Sequence, residues 1–136
     1  MVFYSEKFEF SATHKLWNDS FSEDLNYRTF GKCASPSGHG HNYLMEISIK
    51  TDTGQALDVV DFERVVSEKL ISVLDHKNLN VDVPHFAQVI PTMENIAEFA
   101  WNRLADDFDR VQLHCITVWE SDRTSCSYFG PTETRE

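Results

Sequence analysis

The segment His39-Gly40-His41-Asn42-Tyr43 constrains this chain more than any other. From His39 to Thr51 the residues alternate. His39, His41, Tyr43, Met45, Ile47 and Ile49 fall on one face, with Asn42, Glu46, Ser48 and Lys50 on the other. A period of two is the pattern of a half-buried β-strand. It sets two imidazoles side by side on the apolar face, where both can address one point in space. Cys33 precedes them by six and eight residues, and Gly38 and Gly40 leave room for a close approach. The expectation is a metal site with a reactive thiol beside it. The rest of the chain has to supply a third ligand, a proton-transfer group and a substrate pocket.

Val2 to Ala12 reads as a second strand, with Val2, Tyr4, Phe8, Phe10 and Ala12 on one face. Continued by two residues, it puts His14 on the Phe8/Phe10 face, towards the core. Residues 17–38 and Asp75–Pro91 read as long irregular connections, and Asp52-Thr53-Gly54 as a turn. Phe62–Leu74 has helical spacing, with Asp61 as its N-cap. Thr92 caps a second helix whose apolar stripe is Ile96, Ala97, Ala100, Leu104 and Phe108, and Glu94 sits in its first turn. Val111–Glu120 and Ser125–Gly130 read as the last two strands. This order predicts one α+β domain over residues 1–136: a four-stranded antiparallel sheet with two helices on one face. Such a sheet has two open edges, which symmetric association would close, so an oligomer is expected.

Composition narrows the function. A net charge of -10 argues against a nucleic-acid or anionic-membrane partner. No stretch approaches the ~20 apolar residues that span a bilayer. The opening Met1–Lys7 lacks a basic segment followed by an apolar run. Three cysteines without paired spacing imply no disulfide framework, so a reducing, cytoplasmic setting is expected.

His14, His39 and His41 give three imidazoles on inward strand faces. Catalytic zinc takes three protein ligands and keeps one position open. The competing reading is core histidines bonded to backbone, which loses weight when three gather beside a cysteine. Cys33 is open to three roles: fourth ligand, nucleophile or base. Cys115 and Cys126, in strand patterns without a histidine partner, read as packing residues. Asp75-His76 follows the first helix, and an aspartate that orients a histidine makes a proton relay. Glu94 and Glu120 are candidate substrate anchors, since a carboxylate accepts two parallel N–H bonds from a guanidine-like edge. Their alternatives are a helix-dipole partner and a strand-end surface residue.

Five motifs in order span nearly the whole chain: Phe10-Ser11-Ala12-Thr13-His14; Cys33 with five residues before His39-Gly40-His41-Asn42-Tyr43; Leu74-Asp75-His76-Lys77-Asn78-Leu79; Pro91-Thr92-Met93-Glu94-Asn95; and Val118-Trp119-Glu120-Ser121. Together they resemble the 6-pyruvoyl-tetrahydropterin synthase family. The resemblance implies the tunnelling fold, in which sheets of three subunits join into a barrel and two trimers stack as a hexamer. It implies zinc on His14, His39 and His41, and a proton-transfer group of Cys33, Asp75 and His76. Glu120, with Thr92 and Glu94 nearby, would grip the pterin. The implied reaction converts 7,8-dihydroneopterin triphosphate to 6-pyruvoyl-tetrahydropterin with loss of triphosphate. A related branch makes 6-carboxy-tetrahydropterin for queuosine. The gap between Cys33 and His39 and the run Phe30-Gly31-Lys32-Cys33 resemble the biopterin branch, whereas Pro91 resembles the queuosine branch. A non-catalytic zinc or pterin binder is the third reading.

Overall fold

The computed structural model describes residues 1–52, 57–108 and 110–132. Of the expected turn Asp52-Thr53-Gly54, Thr53 and Gly54 lie outside the described residues. Strand β1 (Val2–His14) pairs antiparallel with β2 (His39–Thr51) along its whole length, with His14 opposite His39 and Ala12 opposite His41. β2 has the bounds its alternation predicts, because every second side chain from Tyr43 to Ile49 is buried.

Among the described residues the sheet has five strands, not four, and it is mixed. A two-residue strand β3 (Lys77–Asn78) adds parallel to Ala12 and Thr13 of β1. With β4 (Gln112–Ser121) and β5 (Thr124–Tyr128), the order is β3-β1-β2-β4-β5. β3 carries no periodic signal of its own, so the expectation of a four-stranded antiparallel sheet overlooked it. The α+β character stands.

The two long connections are also structured. Residues 17–38 contain helix α1 (Glu23–Phe30) and a 3₁₀ turn (Gly31–Ala34). Ser22 caps α1 by accepting from the Leu25 N–H at 3.1 Å. The buried Asn26 accepts from the Asn18 N–H at 2.7 Å and donates to the Asn18 and Ser22 carbonyls, which pins the preceding loop to the helix. Between Asp75 and Pro91 lie β3, an α turn (Leu79–Asp82) and a 3₁₀ turn (Pro84–Ala87).

Helix α2 (Val59–Val66) starts three residues before Phe62. Its N-cap is Asp58, whose carboxylate accepts from the Asp61 N–H, so Asp61 is not the cap. It runs on through a π-helical stretch (Ser67–Ile71) to a last turn ending at Leu74. Helix α3 (Met93–Leu104) is capped by Thr92, as its sequence predicts. It ends at Leu104. Phe108 lies beyond it and stacks on Phe62 at 5.7 Å. Phe62, Val66, Leu70 and Leu74, with Ile96, Ala100 and Leu104, pack on the sheet face formed by Phe10, Tyr43, Met45, Ile47, Ile116 and Val118. Among the described residues, no helix is long and apolar enough to cross a membrane.

Gly130 follows β5 at φ +97°, and a Cβ there would lie 2.6 Å from Trp101 Cζ2. Gly130→Ala combines a left-handed backbone penalty with a clash against a ring held by α3. The expected loss is about 2–3 kcal/mol. It should register as a lower urea midpoint at unchanged slope.

Candidate metal centre

Four elements converge at one end of the sheet. His14 ends β1, and His41 lies in β2 on the same face. Cys33 sits in the 3₁₀ turn after α1, and Glu120 lies near the end of β4. One donor atom of each lies within 4.8 Å of all the others. His14 Nε2 is 3.3 Å from Cys33 Sγ and 3.4 Å from Glu120 Oε1. His41 Nε2 is 3.5 Å from the same sulfur and 3.4 Å from the same oxygen.

Local structure explains each placement. Cys33 is tied to the segment just after β1 through its carbonyl, which accepts from the Leu16 N–H at 2.7 Å. Gly38 holds φ +76°, and a Cβ there would come within 2.8 Å of the His14 carbonyl oxygen. The chain between Cys33 and His39 therefore lies directly on the backbone of His14. Glu120 is the extra residue of a β-bulge: Trp119 opposes Ser125 and Ser121 opposes Thr124, so the register shifts between them. Bulges re-aim a side chain next to functional sites.

The Pro91 carbonyl sets the tautomer of His14. It lies 2.9 Å from Nδ1 and accepts that ring's N–H, which leaves the Nε2 lone pair facing the cluster. The Tyr43 hydroxyl is 3.0 Å from the same Nδ1. Burial lowers the His14 pKa to about 4, with His41 and His39 adding to the effect and the Pro91 carbonyl opposing it. Burial also lowers His41, helped by His39. Both rings are neutral at pH 7, the form that binds metals. Burial pushes the Cys33 thiol up, and the Glu120 carboxylate adds to this. Glu120 is raised by burial and by the nearby charge of Glu94, against a lowering by His39.

These observations meet in one atom. Glu120 Oε1 is buried and has no hydrogen-bond partner among the described residues. It faces a ring nitrogen that presents a lone pair, and a buried acceptor left this way is costly. A divalent cation among the four donors would satisfy it and would lower the thiol and the carboxylic acid together. Ligands 2.0–2.3 Å from a metal ion lie no more than about 4.6 Å apart, and the four distances above fall within that reach. The residues present therefore fit a metal ion.

His39 does not join this group. It is exposed at the first position of β2, with its ring 4.7 Å from that of His41. Asp75 and His76 lie outside the group too. Asp75 Oδ1 accepts from the Ser11 N–H at 2.9 Å, and the His76 N–H donates to the Ser11 carbonyl at 2.6 Å. His76 holds φ +59°, and its Nε2 lies 3.5 Å from Asp75 Oδ2, so these neighbours do contact each other. His76 and His41 line one cleft of about 410 Å³ with Ser11, Thr13, Asn42 and Lys77. The Thr92 hydroxyl is engaged as a cap, and Glu94 is exposed in the first turn of α3. Cys115 is buried. Cys126 is half-buried, and burial pushes its thiol to about 11. The Pro91 carbonyl is a backbone group that no sequence signal announces. Tyr43 was legible only as the next inward residue after His41.

The family described as 6-pyruvoyl tetrahydropterin synthase matches residues 4–131. The human protein named 6-pyruvoyl tetrahydrobiopterin synthase is 36% identical over 130 residues, covering 93% of this chain and 90% of that protein. A protein of Aquifex aeolicus named 6-carboxy-5,6,7,8-tetrahydropterin synthase is 23% identical over 156 residues, covering 91% of this chain and 95% of that one. The solved structure of 6-pyruvoyl tetrahydropterin synthase from Caenorhabditis elegans superposes with a TM-score of 0.85 at 29% identity, covering 96% of each chain. With the match running from the first strand to beyond the last, the chain belongs to the 6-pyruvoyl tetrahydropterin synthase family.

Proposed function

We propose that this protein is a zinc-dependent carbon–oxygen lyase that converts 7,8-dihydroneopterin triphosphate to 6-pyruvoyl-tetrahydropterin and releases triphosphate. The observation that carries the reading is the convergence of a thiol, two neutral imidazoles and a carboxylate within 4.8 Å, in a chain of this family. His14, His39 and His41 would hold the metal during the reaction, His39 swinging inward from its exposed position. The bound ion supplies Lewis acidity towards neighbouring C–H and O–H groups. Cys33, as thiolate, removes a proton from carbon. His76, oriented by Asp75, relays protons in the cleft that it shares with His41. Glu120 accepts the guanidine-like edge of the pterin, with Thr92 and Glu94 beside it. Elimination expels the triphosphate, and the redox change is internal to the substrate.

The chain would act as one cytoplasmic domain over residues 1–136. Its sheets would join into a barrel in a hexamer of two stacked trimers, which brings sites together between subunits.

The zinc-loaded protein, incubated with 7,8-dihydroneopterin triphosphate, should release inorganic triphosphate and a pyruvoyl product by mass spectrometry. Absence of triphosphate, with metal bound, sinks the reading. A second reading, the 6-carboxy branch, is favoured by Pro91 and by the Aquifex relative. A carboxy product accompanied by acetaldehyde would select it. Metal held with no turnover and no product would select a non-catalytic binder.

A further inference from the structure

The connection after α2 is fastened to β1 step by step. Asp75 Oδ1 accepts from the Ser11 N–H at 2.9 Å, and the His76 N–H donates to the Ser11 carbonyl at 2.6 Å. Lys77 and Asn78 then pair in parallel with Ala12 and Thr13. At Leu79 an α turn carries the backbone out of the ladder. The fastening nevertheless continues, through a side chain. Lys15 N–H donates to Asn80 Oδ1 at 2.7 Å, and Asn80 Nδ2 donates to the Lys15 carbonyl at 3.0 Å. A side-chain amide carries both an acceptor and a donor, so Asn80 alone serves both backbone groups of Lys15, as a neighbouring strand would. The turn that presents it is closed by Asp82, whose carboxylate accepts from the Asn78 N–H at 2.8 Å.

We propose that Asn80 is a positioning residue: by clasping Lys15 it locks the register in which the Asp75–His76 relay faces the metal centre. The positioning role rests on the function proposed above, whereas the clasp itself does not. Three observations carry it. The first is register. β3 has only two residues, and a slip of one residue along β1 would move the relay by about 3.3 Å, so the short ladder needs a fastening at each end. Asp75 supplies one on Ser11 and Asn80 the other on Lys15. The second is that β1 ends at His14, and Lys15 has no strand partner among the described residues. The third is what adjoins the clasp. His14 precedes Lys15 directly, and the Leu16 N–H that follows it donates to the Cys33 carbonyl. One side chain thus fixes the stretch that carries a histidine of the metal centre and anchors the turn holding the thiol.

The clasp is tested without any substrate, by hydrogen–deuterium exchange of the wild-type protein and Asn80→Ala. Peptides covering residues 11–16 and 75–80 should both exchange about tenfold faster in the variant, as a local opening of the two segments together, with β2 and β4 unchanged. Unchanged exchange, or faster exchange in 75–80 alone, overturns the clasp. The positioning role is read from triphosphate release at saturating zinc, with the folded fraction checked by circular dichroism. A misplacement of about 1 Å costs about 100-fold in rate, so kcat of Asn80→Ala should fall by about 10–100-fold. KM should stay within about threefold, because Glu120 lies on β4, outside the fastened segments. Asn80→Asp, which keeps the acceptor for the Lys15 N–H, should recover most of kcat. Asn80→Leu, of similar size and without polar atoms, should recover none. Wild-type kcat in Asn80→Leu, or a loss of activity that only follows the folded fraction, overturns the positioning role. Absence of triphosphate release by the wild-type protein overturns the proposed function and the positioning role together, and the exchange series then judges the clasp alone.

Discussion

Cys33→Ala is expected to lower triphosphate release by roughly 10²–10⁴-fold, the range for loss of a positioned general base, with zinc saturating and the fold retained. The sulfur is buried, 3.3 Å and 3.5 Å from two ring nitrogens, in a turn fastened to the segment just after β1 by the Leu16–Cys33 backbone bond. Those surroundings alone would make it a poor base, since burial and Glu120 both push its proton-binding affinity up. A cation among the same donors reverses the sign and makes the thiolate the stable form. Turnover should therefore vanish on chelation as well as on substitution. Cys33→Ser should not rescue it, because a hydroxyl stays protonated where a thiol does not. The comparison is of kcat at saturating zinc, with the bound metal measured directly. Turnover by Cys33→Ala within about threefold of wild type would remove Cys33 from the reaction, whatever its part in holding metal.

Legibility of the fold followed the strength of local periodicity. β2 is read to the residue because its alternation runs unbroken from His39 to Thr51 and one face is buried from Tyr43 to Ile49. α2 is displaced by three residues because Asp58 and Asp61 are equivalent cap candidates. The β-branched pair Val59-Val60 also masks the first turn. α1 is invisible for a different reason: Glu23-Asp24-Leu25-Asn26-Tyr27-Arg28 has no apolar stripe. Its one buried residue is Asn26, held by hydrogen bonds that only the folded loop creates. At the site, parity along the strands places His14 and His41 together. Parity also puts His39 on their face, but the strand starts there and the residue is exposed. Glu120 shares the face of Ile116 and Val118, so its inward lean is legible. Its position against the histidines depends on a register shift that sequence does not encode locally. Spacing says nothing about the Pro91 carbonyl at His14.

Phe10→Ala should cost about 3–5 kcal/mol of folding stability, as buried aromatic truncations do, and should weaken zinc binding as well. Phe10 is 2% exposed and stacks on Tyr43 with ring centres 4.8 Å apart and planes within 10°. Both rings belong to the paired core of β1 and β2, where Phe10 lies opposite Tyr43. The cavity left behind has Tyr43 as one wall, and the hydroxyl of Tyr43 lies 3.0 Å from His14 Nδ1. A ring free to tilt into that space carries its hydroxyl away and loosens the imidazole four residues along β1. Domains of this size are stable by only about 5–15 kcal/mol, so the variant should remain folded near room temperature but unfold at a much lower urea concentration. Phe8→Ala supplies the internal comparison. Phe8 is on the same face but only half-buried, 6.1 Å from Phe62 and opposite Met45, two residues further from the metal centre along β1 than Phe10. It should lose about 2 kcal/mol less than Phe10→Ala and keep wild-type zinc affinity. Equal urea midpoints for the two variants, or undiminished zinc affinity in Phe10→Ala, would show that the Phe10–Tyr43 stack does not couple the core to His14.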